Sequence, residues 1–195
     1  MSYYAQFDLH SNAVFRFDTR IYLNGNPVSR SDGICVAAIV AKNPGSASAV
    51  TMGEWQPLNL SGDKMLSNVR NIFIKACELA GKAISKGAFV QVWNLFYLCD
   101  KNLSSALKAI EEISSPLECP SENHVSPIVW FAWGGDDKNL NRFKKRFLNR
   151  QFSHAFFFDH KIKKICANSP TAINFAEHTQ GLPAQPVIKH LANIL

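Results

Sequence analysis

"VAAIVAKNPGSASA", residues 36–49, is the stretch whose reading decides the fold. Its first six residues are apolar and include the β-branched Val36, Ile39 and Val40. A run that is short and apolar on both faces reads as a central strand of a parallel sheet, buried from above and below. The run breaks at Lys42-Asn43-Pro44-Gly45, and only small residues follow, Ser46 to Ala49. Asn-Pro-Gly can be plain turn chemistry. It also sets one amide side chain, that of Asn43, just beyond the end of a strand.

Outward from this strand the chain alternates two kinds of pattern. Upstream, "AVFRFDTRIYLNGNPVSRSDG" alternates apolar and polar residues around Asn24-Gly25-Asn26-Pro27, which predicts extended chain and a turn. Downstream, residues 46–62 read as an irregular loop carrying Trp55. Asp63 fits as the N-cap of a helix in which Met65, Leu66, Val69, Ile72, Phe73 and Ala76 form one apolar stripe. "AFVQVWNLF" is the next strand, "LSSALKAIEEI" an amphipathic helix, and "SPIVWFAWGG" a third strand closed by two glycines. "KNLNRFKKRFLNR", residues 138–150, is a helix with Leu140, Phe143 and Phe147 on its buried stripe. "SHAFFFD" is a fourth strand, and "TAINFAEHTQGLPAQP" holds one more short strand before a polar loop.

Strands alternating with helices of ten or more residues predict β-α-β units, hence an α/β fold with a mainly parallel sheet covered on both faces. The 195 residues, 47% of them hydrophobic, suit one domain spanning 1–195. Residues 1–32 are then an extended or hairpin segment packed on it. In such folds the ligand crevice lies beyond the carboxyl ends of the strands. Asn43-Pro44-Gly45, Asn94 and Gly134-Gly135 sit there, joined by His178 if the last strand aligns likewise.

Composition excludes several classes. No apolar run approaches the roughly 18 residues a membrane span requires, and "MSYYAQFDLH" lacks a signal-peptide design, so a cytoplasmic protein is expected. The five cysteines are scattered, with no C-x-x-C pair, which speaks against a zinc or iron–sulfur site. No P-loop, G-x-G-x-x-G, H-E-x-x-H or G-x-S-x-G pattern is present, so neither metal nor cofactor is expected. The formal charge of +6 suits a polyanionic partner, and six of the 21 basic residues fall in residues 138–150. These six either form a solvated helix face or contribute to a DNA-binding surface. A second basic cluster, "HKIKKIC", follows soon after.

Taken together these features resemble the uracil-DNA glycosylase superfamily. "AKNPG" resembles the first motif of its mismatch-specific thymine/uracil branch, a strand ending in G-x-N-P-G. "WQPLNLSGDKMLSNVRNIF" is similar to the stretch in which an aromatic and prolines precede a helix opening S-L-x-N-I. "IVWFAWGG" resembles the apolar strand ending in Trp-Gly, and "HTQGLPA" the second motif, commonly H-P-S-P-L-S, on the DNA-intercalating loop. The matches run from about residue 35 to 185. The chain also resembles a bacterial family carrying L-N-P-S-T near the start and T-K-x-G-x-P-x-H-P near the end, with Gln185 of "TQGLPAQP" where the histidine is expected.

The resemblance implies a three-layer α/β/α sandwich around a central, mainly parallel four-stranded sheet. It also implies a monofunctional, metal-free DNA glycosylase, acting as a monomer, that excises a pyrimidine without strand cleavage. The target base must leave the stack, because its bond to the sugar is inaccessible inside the duplex. Bond breaking builds positive charge on the sugar and negative charge on the base, so electrostatic stabilisation of both is the main task. His178 then supports the base oxygen, and Asn43 orients the attacking water but cannot act as a general base. Pro44 and Gly45 line the base pocket. Gly45 stands where the uracil-selective branch has a tyrosine that blocks C5, so a C5-modified pyrimidine is expected, such as a bulky cytosine of phage DNA.

Asn94 can donate and accept toward the pyrimidine edge, or else cap its strand end. Trp55 is the candidate stacking platform, with Phe96 and Trp133 as alternatives. Leu182 is either the wedge that fills the vacated stack or a loop anchor, and Gln180, Lys42, Lys144 and Lys145 complete the expected DNA contacts. The chain departs from the pattern in Ala41, in Lys42, and in the missing Pro and Ser after His178. Extra residues between "AFFFD" and His178 leave open whether His178 or His160 lies nearest the site. Two other functions share the pocket: a non-catalytic reader of modified DNA, and an enzyme on free nucleosides, which needs no wedge.

Overall fold

The computed structural model describes residues 2–27, 29–45, 51–60, 64–113 and 118–195. Asp63, the expected N-cap, and the small residues Ser46 to Ala49 lie outside them. Eight strands form one sheet: β1 (Tyr3–His10), β2 (Ala13–Tyr22), β3 (Ile34–Ala41), β4 (Trp55–Pro57), β5 (Ala88–Asn94), β6 (Ile128–Phe131), β7 (His154–Asp159) and β8 (Lys164–Cys166), in the order β4-β1-β2-β5-β3-β6-β7-β8. Four helices accompany them: α1 (Lys64–Leu79), α2 (Leu103–Glu112), α3 (Asn141–Leu148) and α4 (Ala184–Ile194).

The α/β class stands, but the expectation of a mainly parallel four-stranded sheet is corrected. Among the described residues four of the seven strand pairings are antiparallel, and three parallel pairings join β5, β3, β6 and β7 in the middle. The additional strands come largely from the N-terminus. The N-terminal segment holds a hairpin, β1 and β2 joined through Ser11-Asn12, and β2 pairs with β5, so the hairpin is part of the sheet. Both turn residues have positive φ, +49° and +64°, conformations that Asn tolerates better than most side chains.

Period-two alternation sorts the central strands between two cores. Ala37, Ile39 and Ala41 of β3, Val90 and Val92 of β5, and Ile128 and Trp130 of β6 pack with α1 and α4. Ala38 and Val40, Trp93, Val129 and Phe131 pack on the other face with α2 and α3. The expected stripe of α1 is fully or nearly fully buried, and Leu66, Val69 and Phe73 have no exposed surface. Burial of each such side chain stabilises the fold by about 1.5–3 kcal/mol. α2 starts on Asn102, whose side chain accepts from the Ser105 amide at 3.1 Å.

Two segments differ from their sequence reading at the C-terminal end. The short strand expected within 171–186 is a single bridge, Asp159 to Ala176, and the ladder beside β7 is β8, from the basic cluster "HKIKKIC". The polar loop expected at the end of 171–186 gives way at Ala184 to a helix, α4, which buries Val187, Ile188 and Leu191 against α1. These apolar residues recur at i, i+1 and i+4, a helical spacing interrupted to the eye by Pro186 in the first turn, where proline is well tolerated.

Candidate active site

Three parallel pairings bring the expected site residues to one end of the sheet. Asn43 follows the carboxyl end of β3, Asn94 closes β5, and Trp133-Gly134 follow β6. The strand ends interlock: the Leu95 amide donates to Ala41 O at 2.9 Å, and the Ala132 amide donates to Val40 O at 2.9 Å. The second motif reaches the same end from the far side of the sheet. The Gly134 amide donates to Ala176 O at 2.8 Å and the Glu177 amide donates to Phe158 O at 2.9 Å, so His178 begins directly above the ends of β6 and β7. Asn68 of α1 holds the turn by donating to Thr179 O at 3.3 Å.

His178 packs against Gly134. A β-carbon built on that glycine would lie 3.0 Å from the His178 β-carbon, and the glycine φ is +64°. The histidine ring is half-buried, and its Nδ1 accepts the Gln180 backbone amide at 3.4 Å. With Nδ1 as acceptor, the neutral imidazole carries its proton on Nε2, which is therefore a hydrogen-bond donor. His160 belongs to the same end: its backbone amide donates to Phe175 O at 3.0 Å, its ring stacks on Phe175, and its Nδ1 meets the Glu177 carboxylate. Both histidines thus flank the ends of β6 and β7, His160 tied to a carboxylate and His178 to a backbone amide.

Asn43 is half-buried, and its Nδ2 donates to Asp100 O at 2.7 Å. That bond sets the side-chain rotamer with Oδ1 as the remaining acceptor. Pro44 is buried, and Gly45 has φ +68° with no described atom within 4 Å of a β-carbon built there. Among the described residues nothing fills the space beside Gly45, while its left-handed backbone is one that larger residues rarely adopt.

Asn94 is the most unusual residue of this end. It is wholly buried, and among the described residues neither Oδ1 nor Nδ2 has a hydrogen-bond partner. Strand alternation sets its side chain on the α1 and α4 side, after Val90 and Val92. Burying an amide without compensation costs about 1–3 kcal/mol on the scale of protein mutations, so such a group is usually completed by an ordered water, an ion or a ligand. Strand capping, the alternative role, falls to its backbone carbonyl, which accepts Arg146 Nη2 at 2.7 Å. The Thr179 hydroxyl and the Trp133 indole Nε1 at this end are likewise buried without a hydrogen-bond partner among the described residues.

Several expected contacts are corrected. Trp55 lies on β4 rather than in a loop, stacked on Tyr4 with centroids 4.6 Å apart and its Nε1 donating to Asp18 O at 3.4 Å. β4 sits beyond β1 at the sheet edge, three strands from β5 and four from β3, so Trp55 is remote from Asn43 and Asn94. Phe96 and Trp133 are buried in the α2 and α3 core and offer no open ring face. Lys144 is wholly buried, donates to Ala172 O at 2.8 Å and lies 5.3 Å from the Trp133 ring centroid, so it cannot meet a phosphate. Burial lowers its pKa, and nearby Lys42 adds like-charge repulsion.

Arg146 and Arg150 also turn inward, onto the buried Glu122. Lys145 and Gln180 are exposed, and Lys42 is half-buried. Leu182 is partly buried against the α1 and α4 core, which fits the anchor reading rather than a free wedge. Amphipathic periodicity located α3 but could not foresee that a buried carboxylate from outside the helix would draw two of its arginines inward.

Among the described residues no group of three or more His, Cys, Asp or Glu side chains is arranged to hold a metal ion. No described helix is long and apolar enough to cross a membrane. No protein-family model, curated protein or solved structure matches the chain.

Proposed function

We propose that this chain is a monofunctional DNA glycosylase that binds an extruded pyrimidine and hydrolyses its bond to the sugar. The observation that carries the reading is Asn94: an amide whose donor and acceptor are both unanswered among the described residues, buried at the carboxyl end of β5, on the sheet end where Asn43 follows β3 and where His178 lies. A pyrimidine edge presents the complementary donor and acceptor, and a base can approach a buried amide only after leaving the stack. The run of parallel strands β5, β3, β6 and β7 with helices on both faces supports the α/β/α architecture that the resemblance implies.

The roles follow from the hydrogen-bond inventory. Asn43, fixed through Nδ2 on Asp100 O, offers Oδ1 to orient a water molecule toward the anomeric carbon. His178 Nε2–H donates to the base oxygen on which negative charge grows as the bond breaks. No proton acceptor stronger than an amide oxygen is assigned to the water, so the reaction is slow and favours bases that leave readily. The open space at Gly45 accommodates a substituent on pyrimidine C5.

The test is incubation with duplexes bearing uracil, mismatched thymine or bulky C5-modified cytosines, including DNA from phages with such bases, scored as alkali-labile abasic sites. Product with at least one substrate is expected, and its loss in Asn43→Ala and His178→Ala with DNA binding retained. Binding without product from any substrate leaves a reader of modified DNA. If both variants remain as active as the parent, the site assignment is wrong.

A further inference from the structure

The lysines of the basic cluster "HKIKKIC" and the turn that follows it take no part in the proposed chemistry, yet they adjoin the sheet end that carries His160 and His178. The tip between β7 and β8 exposes Lys161, Ile162, Lys163 and Lys164, and Ile162 keeps 58% of its surface accessible. A second turn, 171–174, exposes Ile173 at 70%. The two turns are bound together at their bases. His160 stacks on Phe175 with centroids 4.4 Å apart, Asn174 Nδ2 donates to Asp159 Oδ2 at 3.3 Å, and the Thr171 amide donates to Asn174 Oδ1 at 2.7 Å. From below, the buried Lys144 ammonium donates to Ala172 O.

We propose that this double turn is the edge that engages the nucleic acid: its lysines bind phosphates while Ile162 and Ile173 press against bases unstacked by extrusion. The inference rests on the proposed DNA substrate. Scattered exposed apolar residues need no explanation, but two isoleucines on neighbouring braced turns, set among three lysines, combine the two features that a duplex-opening element needs. One lysine is partly neutralised, since Lys161 pairs with the exposed Asp136 at 3.4 Å. Position agrees: Phe175 leads through Ala176 and Glu177 straight into His178, so the edge and the pocket share one stretch of chain. Leu182 is seated against the α1 and α4 core and leaves the role unfilled.

The experiment measures binding to a short duplex with 2-aminopurine beside its central pair, whose fluorescence rises when the base unstacks. The parent protein should bind and raise the signal. Ile162→Ser with Ile173→Ser should keep salt-sensitive binding but lose most of that rise. Lys161→Ala, Lys163→Ala and Lys164→Ala combined should lower the slope of log affinity against log salt by up to about 2.7, about 0.9 per phosphate contact.

All five positions are exposed, so melting temperatures should stay within a few degrees of the parent. The proposal is overturned if the duplex is not bound, if the serine variant opens DNA as well as the parent, or if the protein binds anionic phosphatidylglycerol vesicles in preference to DNA. Ile162-dependent unstacking without base removal from any substrate would sink the glycosylase reading alone. Base removal indifferent to both isoleucines would sink this inference alone.

Discussion

Gly134 and His178 are in direct van der Waals contact, so closely that a methyl group on the glycine would approach the histidine β-carbon to 3.0 Å. The end of β6 and the second motif are therefore fitted to each other, and the fit depends on the missing side chain. Gly134→Ala should strain a backbone at φ +64° by about 1–2 kcal/mol and push His178 outward. The expected results are a melting temperature lower by a few degrees and base removal reduced at least as far as in His178→Ala. Unchanged activity would show that the contact does not position the imidazole.

Asn94 offers a test that separates stability from function. Leucine has similar volume and no polar atoms, so Asn94→Leu relieves an uncompensated amide worth about 1–3 kcal/mol. Urea unfolding should show equal or greater stability, while base removal disappears. A marked destabilisation would mean that the amide has a partner in the folded protein and is structural.

Arg146 connects the basic helix to the site. Its Nη1 donates to Leu95 O and its Nη2 to Asn94 O, both at 2.7 Å, and its Nε pairs with Glu122 at 2.9 Å. Tyr97 Oη also donates to Glu122, at 2.6 Å. Arg146→Ala should destabilise by about 3–5 kcal/mol, reduced somewhat by Arg150, because it strands a carboxylate that is 1% exposed. Glu122→Leu combined with Arg146→Met should recover much of that loss in urea titrations. A single-variant cost below about 1 kcal/mol would assign the network no structural weight.

The pH dependence of stability should include His190. This residue of α4 packs on Phe156 with ring centroids 4.7 Å apart, and burial, then the nearby His154, lower its pKa from the ordinary 6.5. The folded state thus favours the neutral ring. Its contribution is present above pH 6.5 and is lost as pH falls through the lowered value in the folded protein. The urea midpoint should drop between pH 7 and pH 5, and His190→Leu should flatten the drop. An equal drop in the variant would place the acid sensitivity elsewhere.

Local pattern carried β3, β5, β6, β7 and the helices α1 to α3, because an apolar run between turn signals and a 3.6-residue stripe are properties of neighbouring residues. The pairing of strands is not such a property. β1 and β2 entered the sheet, and β8 displaced the strand expected later, because backbone pairing is decided by partners far along the chain. Trp55 and Lys144 were misjudged for the same reason: an aromatic or a lysine reads alike whether it stacks on Tyr4, bonds Ala172 O or faces solvent.

By itself the sequence determined that a buried strand ends just before Asn43, that Asn94 closes the next one, and that the chain has strands alternating with amphipathic helices. Only the tertiary structure decided that Asn94 is left without a partner among the described residues, that Lys144 is buried, and that Leu182 packs against the core while Ile162 and Ile173 stand out. Burial and hydrogen-bond satisfaction are set by contacts between segments distant in the chain, and no local pattern contains them.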